Sequence, residues 1–163
     1  MIYDFTHAAH LSDDEIRELY NRMEREGLLD QFFHAAQCKT ADEFLRYARD
    51  IGTWLFRADR YGEPVAFAML DSFSAESAYF HHCHFRAGWK HTLETALHTL
   101  DWLQASCPSI KTLIGITPAK NKLAVRYAGR CGFKILGEIP RSLYDRDGNV
   151  QDAVLSVYTW GNA

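Results

Sequence analysis

Residues 111–117, KTLIGIT, constrain the fold more than any other stretch of this chain. A short, nearly continuous apolar run is the mark of a strand covered on both faces. Such a strand needs helices on both sides of its sheet, and its flanks supply them. Upstream, residues 89–104 place Trp89, Leu93, Ala96, Leu97, Leu100 and Leu103 at helical spacing, and Pro108 closes the segment. Downstream, NKLAVRYAGRC (121–131) reads as a shorter helix ending at Gly132. With 163 residues, 47% of them hydrophobic, the chain can bury roughly 70% of its unfolded surface without a disulfide or metal.

Two amphipathic helices are expected before any long strand. Ser12 and Glu15 form a capping box, flanked by Leu11 and Ile16 as a hydrophobic staple. Ile16, Leu19, Tyr20 and Met23 then recur until Gly27. A second box, Thr40 to Glu43, opens a helix bearing Phe44, Leu45, Ala48 and Ile51, with Gly52 as its left-handed exit. Residues 53–70 read as a hairpin turning at Tyr61-Gly62-Glu63-Pro64, and 77–85 as a further strand. Strands near 134–139 and 153–160 close the chain, joined through an Asp147-Gly148 turn. The order is helix, helix, three strands, helix, strand, helix, strand, strand. No repeat or linker-like composition divides it, so residues 1–163 read as one α/β domain. Its sheet should be mixed and mostly antiparallel, with helices on both faces.

Composition excludes several classes of function. Eighteen basic against 21 acidic residues, a net charge of −3, leave no basic excess for a nucleic-acid backbone. The longest apolar run spans six residues, 65–70, where a spanning helix needs about 20. The start, MIYDFTHAAHLSDDE, has neither the basic nor the apolar region of a secretion signal, so the cytoplasm is the expected address. Cysteines at 38, 83, 107 and 131 form no C-x-x-C pair, which points to reduced, mostly buried thiols and not to a zinc ribbon.

The segment NKLAVRYAGRCGF, with Asn121, Ala124, Gly132 and Phe133 at the defining positions, resembles the last helix of the GNAT superfamily of acyl-CoA-dependent N-acyltransferases. Each residue has a physical reason to be there. Asn caps a helix start, Gly supplies a left-handed exit, and Phe seeds the core. The order of elements also resembles the GNAT order, and KILGEIPRSLYDRDGNVQDAVLSVYTW resembles the family's closing strand pair. The resemblance implies acetyl-CoA as acyl donor, an amine as acceptor, and no metal. A homodimer is one assembly compatible with it.

Two positions depart from the family pattern. The resemblance places Phe85-Arg86-Ala87-Gly88-Trp89-Lys90 on the loop that cradles the pyrophosphate of CoA. That loop is usually Gln/Arg-x-x-Gly-x-Gly/Ala, because glycine lets backbone N–H groups approach a phosphate. Only Gly88 survives. Either the loop no longer binds CoA, or its backbone donors persist with Lys90 or Arg86 adding charge. The family's general-acid Tyr falls at position 128, which is Ala here, and Tyr127 stands one residue early. One helical step turns a side chain by about 100°, so Tyr127 is expected to point elsewhere.

The remaining chemistry lies in His81-His82-Cys83-His84. Alternation puts His82 and His84 on one face with Phe80, and His81 and Cys83 on the other with Tyr79. The resemblance places this strand beside the cofactor slot, where an imidazole suits acceptance of the amine's proton. His84 is the first candidate base and His82 the second. A zinc ion on His82 and His84 would need a third ligand such as His91 or Glu94. His91, Glu94 and His98 otherwise read as a solvated helix stripe, and Arg126 and Arg130 as a surface pair. The leading reading is acyl transfer from acetyl-CoA to an amine. The alternative is a GNAT-fold binding or assembly protein without catalysis, of the kind associated with bacteriophages.

Overall fold

The computed structural model describes residues 2–32 and 38–161. Seven strands form one sheet in the order β1-β2-β3-β4-β5-β7-β6. They are β1 (Tyr3–His7), β2 (Trp54–Arg60), β3 (Glu63–Ser74), β4 (Ser77–His84), β5 (Thr112–Pro118), β6 (Lys134–Tyr144) and β7 (Val150–Thr159). Among the described residues only β4 and β5 run parallel, and every other pairing is antiparallel. The helices are α1 (Asp13–Glu26), α2 (Leu29–Phe32), α3 (Ala41–Arg49), α4 (Thr92–Ser106) and α5 (Lys122–Arg130). This is the mixed, mostly antiparallel α/β architecture expected.

Two cores lie on opposite faces of the sheet. On one, Ile16, Leu19 and Met23 of α1 and Phe44 and Leu45 of α3 pack against Leu55, Phe67, Met69 and Cys83. On the other, Ala96, Leu100 and Leu103 of α4 meet Phe56, Leu70, Ala78, Leu113 and Phe133. Leu55 and Phe56 fall in different cores because successive strand residues point to opposite faces.

The first capping box forms in full: Glu15 N–H donates to Ser12 Oγ (3.2 Å) and Ser12 N–H to Glu15 Oε2 (2.8 Å). In the second, Glu43 N–H reaches Thr40 Oγ1 (3.2 Å), but the Glu43 carboxylate accepts from Lys39 N–H (2.6 Å) instead. The hairpin turns through Tyr61 and Gly62 at φ 52° and 82°, a left-handed pair that matches the twist of the flanking strands.

Several details differ from the sequence reading. A short edge strand, β1, precedes the helices and pairs with β2; its five residues are too few for alternation to announce it. α3 stops at Arg49, where Asp50 takes an extended conformation and Gly52 N–H bonds the Asp50 carboxylate (2.8 Å). Ile51 is therefore 97% exposed and not part of the apolar stripe. α4 starts at Thr92, not at residue 89, after a 3-10 turn over Arg86–His91. Its buried face uses Thr95 and Thr99 where Trp89 and Leu97 were expected; those two are exposed. Finally, β5 is largely half-buried. Its apolar run lines an opening in the sheet.

Candidate active site

That opening follows from the ladder between β4 and β5, which lasts three residue pairs, Ser77–Thr112 to Tyr79–Ile114. Beyond it, Phe80–His84 of β4 and Gly115–Pro118 of β5 continue without pairing to each other. The outer edges of both strands are already used, β4 by β3 and β5 by β7. The strands therefore present two inner edges of unpaired peptide groups to a cleft. The cleft holds a cavity of about 130 Å³ bordered by Phe80, His82, Gly115, Ile116, Asn121 and Tyr127.

α5 forms one wall. The Asn121 carboxamide caps it by accepting Ala124 N–H (3.1 Å). Gly132 (φ 95°) turns the chain out and Phe133 is buried against the sheet, as the motif requires. Tyr127 does not point away. Its hydroxyl donates to the Thr92 carbonyl (2.9 Å) and lies 2.7 Å from His84 Nε2. A carbonyl only accepts and Tyr has one hydroxyl proton, so His84 must carry its proton on Nε2 and donate to Tyr127. Burial pushes the Tyr127 phenol up.

The rings of His82 and His84 lie against each other, centroids 4.2 Å apart and planes tilted by 57°. Burial pulls His82 well below its ordinary value and brings His84 down to about 4, so both rings are neutral near pH 7. His82 Nε2 and His84 Nδ1 are sealed from solvent without a hydrogen-bond partner among the described residues. Orphaned polar atoms beside a cleft are satisfied when a polar ligand fills it. Metal ligation finds no third partner: His91 instead bonds Glu94 (3.1 Å), and His98 packs on Tyr3. No three His, Cys, Asp or Glu converge on an ion site among the described residues.

The loop from Phe85 to Lys90 divides in two. Phe85 is fully buried with the Arg22 guanidinium over its ring, 4.3 Å from the centroid. Gly88 is buried as well, and a Cβ there would lie 2.7 Å from the Val65 carbonyl oxygen. Its smallness therefore answers to strand β3. Arg86 N–H donates to the Glu26 carboxylate (2.6 Å), which Arg22 holds from behind (2.9 Å). Arg86, Ala87, Trp89 and Lys90 are exposed. Of the anion donors expected here, Lys90 is exposed, while the Arg86 amide already holds a carboxylate.

A further group was not anticipated. On the opposite face of β4, His81 Nε2 lies 3.0 Å from Asp71 Oδ2, and the Tyr47 hydroxyl of α3 donates to the same oxygen. Burial pushes the Asp71 carboxyl up, but the bonds from His81 and Tyr47 outweigh it and leave it low. Asp71 and His81 are diagonal neighbours, since Asp71 pairs with Tyr79 and Met69 with His81. The register of β3 on β4 was the one signal that could have revealed them. His81 also borders the cleft.

All four cysteines are free and buried, and burial raises each thiol, Cys38 to about 11. Among the described residues no helix is long and apolar enough to cross a membrane.

No family profile matches the chain, and no curated protein matches it in sequence. Its structure is similar to those of several acetyltransferases. One is a Salmonella typhimurium acetyl transferase that modifies the N-terminal serine of ribosomal protein L7/L12: TM-score 0.80, 12% identity, covering 99% of this chain and 96% of that one. Another is spermidine N-acetyltransferase from Vibrio cholerae, in complex with CoA and spermine: TM-score 0.77, 15% identity, coverage 97% and 95%. A third is the ribosomal-protein-S5-alanine acetyltransferase of Vibrio fischeri, at TM-score 0.74, 12% identity and coverage of 98% and 93%. The split sheet, the Asn-capped α5 and these likenesses agree: the chain has the fold of the GNAT superfamily of N-acyltransferases.

Proposed function

We propose that the protein is an acyl-CoA-dependent N-acyltransferase, moving an acetyl group from acetyl-CoA to an amine in the cytoplasm, with residues 1–163 acting as one domain. The observation that carries this reading is the parted pair β4 and β5. Two facing edges of unpaired peptide groups suit an extended ligand bearing amides of its own, as the pantetheine arm of CoA does. The orphaned nitrogens of His82 and His84 fit the same ligand. Lys90, Arg86 and the first N–H groups of α4 are the donors for its phosphates.

Acyl-CoA would supply an activated thioester. The chain's residues would do the rest by placement and proton handling. Tyr127, held by the Thr92 carbonyl and backed by His84 Nε2–H, offers a hydroxyl proton to a departing thiolate. Asn121 is committed to capping α5, which keeps that wall in place. His84 is a weak base at about 4, which suits it to supporting Tyr127 better than to accepting the amine's proton.

One observation favours a second reading, a GNAT-fold binding protein without catalysis: Glu26 already occupies the Arg86 amide where a phosphate is expected. Titration calorimetry and thermal melts with acetyl-CoA and desulfo-CoA separate the two. Acyl transfer requires both to bind and raise Tm, by about 2.7 kcal/mol of stabilisation at a hundredfold excess over Kd. Ala128→Phe, which fills the cleft, and Lys90→Glu should both weaken binding with circular dichroism unchanged. No shift at millimolar acetyl-CoA refutes the enzyme reading and leaves the binding protein.

A further inference from the structure

The transfer reading needs a group that takes a proton from an ammonium before its nitrogen can attack. The two histidines on the α5 side are poorly suited. His84 spends Nε2–H on Tyr127, its Nδ1 is sealed from solvent, and burial disfavours its cation. His82 Nε2 is sealed from solvent and burial disfavours its cation too. His81 is more open than either. Its side chain keeps 29% of its exposure, borders the cleft, and faces the side of the sheet covered by α1 and α3.

Its surroundings also fix its tautomer. Asp71, ionised, only accepts, and the Tyr47 hydroxyl donates to its Oδ2. His81 Nε2 lies against the same oxygen, so Nε2 carries the proton and Nδ1 keeps its lone pair. A proton taken up at Nδ1 leaves the Nε2–H bond to Asp71 in place. The backbone beside Asp71 is irregular: Ser72 has φ 49°, and the β3–β4 register shifts between Asp71 and Ser74. Bulges of this kind re-aim a side chain next to a functional site. Asp71 is 8% exposed, and burying a carboxylate is costly unless donors such as these two hold it.

We propose that His81 is the base that deprotonates the acceptor amine, with Asp71 and Tyr47 as positioning residues; this rests on the acyl-transfer reading above. His81 Nδ1 takes one proton from the ammonium, and the freed nitrogen lone pair forms the C–N bond at the thioester carbonyl as the C–S bond breaks. The thiolate takes a proton from the Tyr127 hydroxyl, and the second proton lost by the nitrogen restores it. His81 releases its proton to solvent through its exposed edge. The sum is an amide, a free thiol and one proton.

The test uses the full chain, acetyl-CoA, and two probe amines, spermine and a serine-initiated peptide, with thiol release as the readout. His81→Gln should lose a hundredfold or more in kcat while Kd for acetyl-CoA stays within twofold. Asp71→Asn should lose ten- to a hundredfold in kcat at unchanged KM for acetyl-CoA, and Tyr47→Phe a smaller factor in the same parameter. Nitrogen-15 spectra of the wild type should show His81 protonated on Nε2 and bare at Nδ1. Turnover within threefold of wild type in His81→Gln overturns the assignment and leaves the transfer reading intact. So does an Nδ1-protonated tautomer, whatever the acceptor. Absence of acetyl-CoA binding in the wild type overturns both.

Discussion

Acidification offers a direct probe of the His84–Tyr127 contact. The imidazole titrates near 6.5 when exposed and at about 4 when folded, because burial disfavours its cation. Between those values the unfolded chain binds a proton that the folded one refuses, so stability falls as pH drops from about 6.5 and levels off below about 4. At about 1.4 kcal/mol per pH unit the full effect is about 3 kcal/mol, of which about 2 kcal/mol falls between pH 7 and pH 5. Glu15, which hydrogen bonds from Ser12 and Arg57 bring down to about 2, loses its contribution only below its unfolded value of 4.5. The interval from pH 7 to pH 5 is thus free of it. His82 and His7 are also lowered, chiefly by burial, and act in the same direction. The measurement is urea unfolding at both pH values for the wild type and His84→Gln. The wild type should lose stability on acidification, and the variant should lose about 2 kcal/mol less. Equal losses in the two proteins would show that His84 is protonated when folded or that its ring is solvated, and would refute the burial argument.

Gly88→Ala should destabilise by about 1–3 kcal/mol, since its Cβ would press on the Val65 carbonyl of a central strand and neither backbone can give way; thermal unfolding reads the loss without any ligand. Chelator treatment should leave Tm unchanged and elemental analysis should find substoichiometric zinc, because His82 and His84 have no third ligand within reach among the described residues; stoichiometric zinc lost on His82→Ala would overturn this.

How far the sequence carried depends on what each signal measures. The Ser12–Glu15 box, the Asn121 cap and the Gly132 exit are local hydrogen-bond devices, and each forms where its residues stand. The helix start after β4 was misplaced by three residues because no capping residue marks it: His91 takes that place without a side-chain bond. The KTLIGIT run marked a central strand correctly but suggested complete burial. An apolar cleft lining and a covered core strand have the same composition. A rotation argument for Tyr127 ignores side-chain length, and its ring spans the gap to His84. The Tyr47–Asp71–His81 group joins α3, β3 and β4 across 24 and 10 residues of sequence. No spacing rule could assemble it without the strand register.

The parting of β4 and β5 also bears on how this chain avoids sticking to others. Unpaired strand edges invite foreign strands and hence aggregation, and an open sheet ordinarily has two of them, both at its rims. This sheet has four. On its outer rim β6 is defended by interruptions: Pro140, register breaks near Gly137 and between Ile139 and Leu143, and the charges of Lys134, Glu138 and Arg141. The two inner edges carry little of that protection beyond Pro118 at the end of β5. They lie at the centre of the molecule, closed at one end by the Ser77–Thr112 ladder and walled by α5. The protein keeps its unpaired peptide groups in its middle, away from the rims where strands of other molecules meet a sheet.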